Sequence, residues 1–189
     1  MDRKYSLDIF KDCDFEVSWN TIKVGYDLDR LTSEEIGKFA MQFLEMHPSL
    51  VNEYVSELIL GIKEEDLDIY LQRLFDSLNL TIPKENSYMW NMEWYKWRYC
   101  IIYKMLQHIT DEEKLLESVE GLYSDFGYPE DMSPFIYYMP LEENNIPTDS
   151  RIARSRLVSN LKKFLAKEKE RLVSTKKFEF LPNRAHFAK

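Results

Sequence analysis

Along most of the chain, apolar residues recur every three to four positions with polar residues between them. That is the period of helices that each bury one face. Thr32-Ser33-Glu34-Glu35 opens the clearest stripe. It has the form of a capping box, in which the Thr32 hydroxyl accepts from the Glu35 amide and the Glu35 carboxylate reaches back to the Thr32 amide. Ile36, Phe39, Ala40, Phe43 and Leu44 then share a face, until His47-Pro48 ends one helix and opens another. Val51, Tyr54, Val55, Leu58 and Ile59 repeat the pattern up to Gly61, and Leu67, Tyr70, Leu71, Leu74, Phe75 and Leu78 repeat it before Pro83. Thr110-Asp111-Glu112-Glu113 reads as a second capping box, ahead of Leu115, Leu116, Val119, Tyr123 and Phe126. Gly127 is placed as a left-handed stop. A short helix is predicted from Ser133 to Met139 with Pro134 in its first turn, then a loop over 141–148. The last long helix should start near Thr148 or Asp149 and carry Ile152, Leu157, Leu161, Phe164, Leu165 and Leu172.

Two regions depart from this rhythm. Tyr5, Leu7 and Ile9 alternate, as do Phe15, Val17 and Trp19, and Phe178 and Phe180 near the C-terminus. Alternation favours short extended pieces that pair as a small terminal ribbon. Ser18 looks like the N-cap of a short helix ending at Gly25. The second region is aromatic: seven of the sixteen residues from Tyr88 to Tyr103 are Trp or Tyr. On a helix, Trp90, Trp94, Trp97 and Ile101 share one side, and Tyr88, Tyr95, Tyr99, Ile102 and Leu106 the other. A helix apolar on both sides belongs inside a layered bundle, so core is the favoured reading over an exposed hot spot. Arg98 lies off both stripes and is chemically suited to grip a carboxylate with two hydrogen bonds, within the fold or across an interface. These elements predict an all-α single domain, a stack of about seven to eight helices arranged as helical hairpins, with the small ribbon as an addition. No fixed residue signature repeats, so a solenoid is not predicted.

Composition narrows the class. The chain has 189 residues, which suits one domain. Folding at this size hides roughly 70% of the chain's surface, enough for a core without metal or disulfide support. Two cysteines, Cys13 and Cys100, make no disulfide framework and suggest a reducing compartment. No apolar run approaches the ~20 residues of a membrane span, and Met1-Asp2-Arg3-Lys4 leads into no secretory apolar segment. A cytoplasmic protein is therefore expected.

Charge is uneven. Residues 151–189 carry 12 Lys/Arg against 3 Asp/Glu, while the first 150 carry 13 against 30. The domain reading is thus an acidic helical domain over 1–172, including a basic final helix over 149–172, and a basic tail over 173–189. The tail and final helix either dock on their own body or lie solvated, and the nucleic-acid reading is the competitor. A body at net −17 repels polyanions and attracts a basic partner.

Catalytic signatures are missing from the sequence. His47, His108 and His186 are scattered, with no H-E-x-x-H pair and no C-x-x-C. His108 falls on the Trp90 side of the aromatic helix and is expected to be packed. Five glycines leave no phosphate-cradling loop. Glu64-Glu65-Asp66 with Asp68 lacks the spacing of a calcium loop and fits an acidic first helical turn. Asp111-Glu112-Glu113 reads the same way. The expectation is no enzyme, no catalytic, cofactor or metal residues, and no cofactor.

The stretch Tyr123-Ser124-Asp125-Phe126-Gly127-Tyr128-Pro129-Glu130-Asp131-Met132, then Phe135-Ile136-Tyr137-Tyr138-Met139-Pro140, together with Trp19, Gly25 and Trp97-Arg98, resembles a family of small acidic bacterial proteins. The likeness covers most of residues 15–172, and the family includes candidate immunity proteins found beside polymorphic or contact-dependent toxins. The resemblance implies an immunity (antitoxin) protein that blocks a basic toxin domain, a nuclease by preference, and carries no residue roles with it. The residues themselves agree with such a role, since complementary charge speeds association and a few buried anchors hold it. The candidate partner-binding residues are Tyr128, Glu130, Asp131, Tyr137 and Tyr138, a turn-rich mixture of carboxylates and tyrosines. The competing assignment has Phe135, Tyr137 and Tyr138 capping the core. The alternative function is a nucleic-acid-associated regulator acting through 151–189, with nucleic acid and membrane both disfavoured as partners. A hydrolase using a carboxylate-bound metal is the third reading.

Overall fold

The computed structural model describes residues 4–138 and 150–179. Among these residues there are eight α-helices, joined in places by short 3-10 segments, and no strand. The all-α expectation holds. The chain divides into two compact units, residues 1–97 and 98–189.

The first unit holds α1 (Asp8–Lys11), α2 (Trp19–Asp27), α3 (Ser33–Met46), α4 (Glu53–Leu60), α5 (Leu67–Ser77) and the first half of α6 (Tyr88–His108). The expected ribbon is absent here. Where alternation suggested strand, α1 makes one helical turn that buries the consecutive residues Ile9 and Phe10. A strand would have sent those two side chains to opposite faces. Phe178, the ribbon's other half, falls within the last helix, and Phe180 lies outside the described residues.

Ser18 does cap α2, by a reciprocal pair with Thr21, and the helix runs two residues past Gly25. Gly25 is interior because Trp97 lies against it: a Cβ there would come under 3.0 Å from three atoms of the indole ring. Trp97 is fully buried, donates its Nε1 hydrogen to the Thr21 carbonyl at 2.9 Å, and meets the edge of Phe10 at 4.7 Å between centroids. Trp19 builds a second aromatic knot with Phe39 and Phe43 of α3.

Thr32 caps α3 as read, accepting from the Glu35 amide at 3.3 Å. The other half of that box does not form. Glu35 turns instead to the Leu7 amide at 3.0 Å and to Lys38 at 2.8 Å, so the carboxylate ties the N-terminal segment to α3. Burial alone would raise this carboxyl, but the hydrogen bonds from Lys38 and Leu7 outweigh it and hold the group below its ordinary value.

Helices α3 and α4 form the first hairpin. His47 ends α3, a 3-10 turn covers Pro48–Leu50, and Asn52 caps α4 through the Val55 amide at 3.1 Å. Gly37 sets their approach, since a Cβ there would stand 2.8 Å from the Leu58 carbonyl oxygen. Gly37→Ala should therefore cost about 1–3 kcal/mol from overpacking, although alanine is the better helix former by about 1 kcal/mol. Chemical denaturation checks this; a gain in stability would mean that the α3–α4 contact is loose. Glu64–Asp66 form an acidic 3-10 turn leading into α5.

The second unit holds the rest of α6, α7 (Glu112–Asp125) and α8 (Ser150–Glu179), with a 3-10 turn over Glu130–Phe135. The second capping box does not form: Asp111, not Thr110, is the N-cap, and its carboxylate accepts from the Lys114 amide at 2.9 Å with no reciprocal bond from the Lys114 side chain. A carboxylate is as good an acceptor there as a hydroxyl and adds favourable charge at the helix N-terminus. The short helix read over Ser133 to Met139 is also moved. The turn starts after Pro129 and stops at Ile136, which is extended, while Met139 lies outside the described residues. The loop over 141–148 lies outside the described residues too.

Helix α8 begins at Ser150, close to the expected start, and continues past 172 to Glu179. Leu157, Val158, Leu161, Leu165 and Leu172 are buried along it, and Ile152 is exposed. Arg154 pairs with Glu113, and the Ser155 hydroxyl donates to Glu112 at 3.0 Å. The acidic start of α7 thus also anchors the basic helix. Within α6, Trp90, Trp97, Ile101, Tyr99 and Ile102 are buried, in keeping with core, but Tyr88 is exposed.

Candidate protein-interaction face

The end of α7 shapes the face. Gly127 adopts φ +75° and Tyr128 φ +60°. The Tyr128 amide donates to the Tyr123 carbonyl at 2.9 Å and the Gly127 amide to Ser124 at 3.0 Å. These two bonds are the paired closure of a Schellman motif, which joins the residues at its ends through an apolar contact. That contact is Tyr123 against Tyr128, edge to face at 5.2 Å. Tyr123 is buried and Tyr128 is 61% exposed, so one ring anchors the other at the surface.

From Tyr128 the chain enters the 3-10 turn. Met132, Phe135 and Ile136 point into the core, at 0–1% exposure, while Tyr137 and Tyr138 stand 65% and 54% exposed. The competing assignment is thereby divided: Phe135 caps the core, and Tyr137 and Tyr138 do not. Desolvation first, then the Glu120 carboxylate with Tyr123 and Tyr128, raises the Tyr138 hydroxyl above its ordinary value. Tyr138 therefore shares its surroundings with Glu120, Tyr123 and Tyr128. Glu130 is exposed beside them in sequence.

Asp131 is placed differently from the other four candidates. Both its oxygens accept from Arg98, each at 2.7 Å, and the guanidinium is fully buried. Arg98 also reaches Glu168 of α8 at 2.6 Å and lies 4.9 Å over the Phe164 ring. Glu168 in turn holds Arg171 at 2.8 Å. The bidentate pairing read for Arg98 thus occurs within the fold. It fastens the 3-10 turn to α8, with help from Asn160 donating to the Pro134 carbonyl at 3.0 Å. Asp131 is a mount for the face, with its side chain still half exposed.

Glu168 and Phe164 escaped the sequence reading of this site. A signal was present: Glu168 falls on the stripe of Leu161, Leu165 and Leu172, in a helix otherwise rich in cations. A carboxylate on an apolar stripe requires a buried cation.

The remaining chemistry is sparse. His108 is exposed rather than packed, because the last turn of α6 emerges from the core; His47 is exposed and His186 lies outside the described residues. Cys13 and Cys100 are buried. Among the described residues, no group of three His, Cys, Asp or Glu is placed to hold a metal ion, and no helix is long and apolar enough to cross a membrane.

The family model described as "Uncharacterized protein conserved in bacteria (DUF2247)" matches residues 7–169. Comparison with the curated proteins and with the solved structures gives no match.

Proposed function

The chain belongs to this conserved bacterial family, and on that premise we propose that it is an immunity protein which binds and neutralises a basic toxin domain. One observation carries the reading: Tyr128, Tyr137 and Tyr138 are more than half exposed on a segment locked by a helix cap, three core anchors and a bidentate ion pair. Exposed aromatics cost solvation free energy unless a partner covers them, and a rigid mount lowers the ordering cost of binding. Glu120 and Glu130 supply charge of the sign that steers a basic surface inward. Neutralisation by occlusion asks for no reacting group on this chain. The face lies in the acidic first 150 residues, where Asp and Glu outnumber Lys and Arg 30 to 13.

The test is to isolate the protein with its partner from the native cell, then measure association of purified components. A single basic partner in a 1:1 complex is expected. Tyr137→Ala with Tyr138→Ala should weaken it by about 30-fold or more, the scale of paired aromatic hot spots. Glu130→Lys should slow association, and raised salt should slow the wild type. Retention of full affinity by the double tyrosine variant would move the contact elsewhere, and turnover of a small molecule by the purified protein would sink the binding role.

A further inference from the structure

Between the 3-10 turn and α8 lies a groove of about 660 Å³. Its α8 wall carries Lys163, Lys167 and Arg171, each four residues after the last. Residues at this spacing line one edge of a helix, about one turn apart. Arg171 is tied to Glu168. Lys163 and Lys167 are exposed and, among the described residues, make no ion pair or hydrogen bond. The two carboxylates that also line the groove, Asp131 and Glu168, are both bound to Arg98. Pro134 and the half-buried ring of Phe164 give it an apolar floor. The available charge is therefore positive, over an apolar base, in a chain that is otherwise strongly acidic.

We propose that this groove receives an acidic peptide segment of a partner protein. An apolar side chain of that segment rests on Phe164 and Pro134, and its carboxylates meet Lys163 and Lys167. The volume falls in the range of pockets that enclose a ligand of a few residues. Nucleic acid fits less well. Single strands are held by bases stacked on open aromatic faces, and here one face of Phe164 lies under the Arg98 guanidinium while Phe135 is 1% exposed. Apart from Asp131, which lines the groove and mounts the tyrosine face, this site uses other side chains and the opposite partner charge, so it stands or falls separately from the immunity reading.

Fluorescence anisotropy with three labelled probes tests it: a short peptide of alternating Glu and Leu, polyglutamate of equal charge, and oligo-dT of equal charge. At about 50 mM salt, where charge contacts are weakly screened, the Glu–Leu peptide should bind saturably and most tightly of the three. Lys163→Glu with Lys167→Glu should weaken it by about 10-fold or more, with an unchanged thermal melt, whereas Tyr137→Ala with Tyr138→Ala should leave it unaltered. Tighter binding of oligo-dT would make the groove a nucleic-acid site and overturn the proposal. Equal binding of polyglutamate, an unaffected lysine double variant, or no saturable binding of the Glu–Leu peptide would overturn it as well.

Discussion

Arg98→Met should lower the stability of the second unit by about 3 kcal/mol, the lower part of the range for breaking one partner out of a buried pair. Arg98 is fully buried and serves Asp131 and Glu168 at once. Removing it leaves Glu168, whose side chain is 5% exposed, with Arg171 alone, itself 42% exposed. The penalty comes from that stranded carboxylate, since Asp131 can return to water. Adding Glu168→Leu to Arg98→Met should therefore recover most of the loss, because well-packed apolar residues replace buried pairs with little or no cost. Urea unfolding followed by far-UV circular dichroism reads both variants. All four tryptophans, Trp19, Trp90, Trp94 and Trp97, lie in the first unit, so their fluorescence provides a separate record of residues 1–97. A double variant no more stable than Arg98→Met would show that the pair matters for something other than the buried charge. The same double variant should loosen the tyrosine face, since the mount of the 3-10 turn on α8 is lost.

Trp97→Ala should cost about 3–5 kcal/mol, the scale of deleting a large aromatic from a core. The ring packs on Phe10, hydrogen-bonds the Thr21 carbonyl and covers Gly25, so its loss opens a cavity and removes a buried hydrogen bond. Gly25→Ala is the companion. Alone it should destabilise by about 1–3 kcal/mol, because its Cβ meets an indole held in place by two other contacts. In the Trp97→Ala background the same change should become neutral or favourable, as the obstacle is gone and helix propensity favours alanine by about 1 kcal/mol. This sign reversal, measured as a double-mutant cycle, is the sharper check. Additive effects would mean that Gly25 is there for a reason other than room for Trp97.

Much of the helical layout was legible because it follows from local rules. The stripes of α3, α5 and α7 and the caps Ser18 and Thr32 depend on residues within one or two turns of each other. The stop at Gly127 is equally local, and even its Tyr123–Tyr128 contact belongs to the capping motif. Misreadings arose where a distant group won the competition. Glu35 abandons its own helix end for Leu7, 28 residues away in sequence. The apparent strand at Tyr5–Ile9 becomes a helical turn so that Ile9 and Phe10 are buried together. His108 shares a helical face with buried tryptophans, yet lies beyond the point where α6 leaves the core.

The candidate site divides the same way. Composition alone placed tyrosines and carboxylates on a turn-rich segment, and four of the five residues chosen are exposed side chains without an assigned anchoring role. That Asp131 is held by Arg98, 33 residues earlier in sequence, and that Glu168 completes the set, lies beyond any spacing rule.

By itself, then, the sequence determined the all-α class, the helix stripes and the separation of an acidic body from a basic final helix. Those properties arise from side-chain periodicity and net charge, which need no knowledge of what packs where. Only the tertiary structure decided which charges are consumed inside the fold and which face outward. Burial and pairing are relations between residues far apart along the chain: they turned Asp131 and Glu168 into internal fastenings, and left Tyr137, Tyr138, Lys163 and Lys167 exposed.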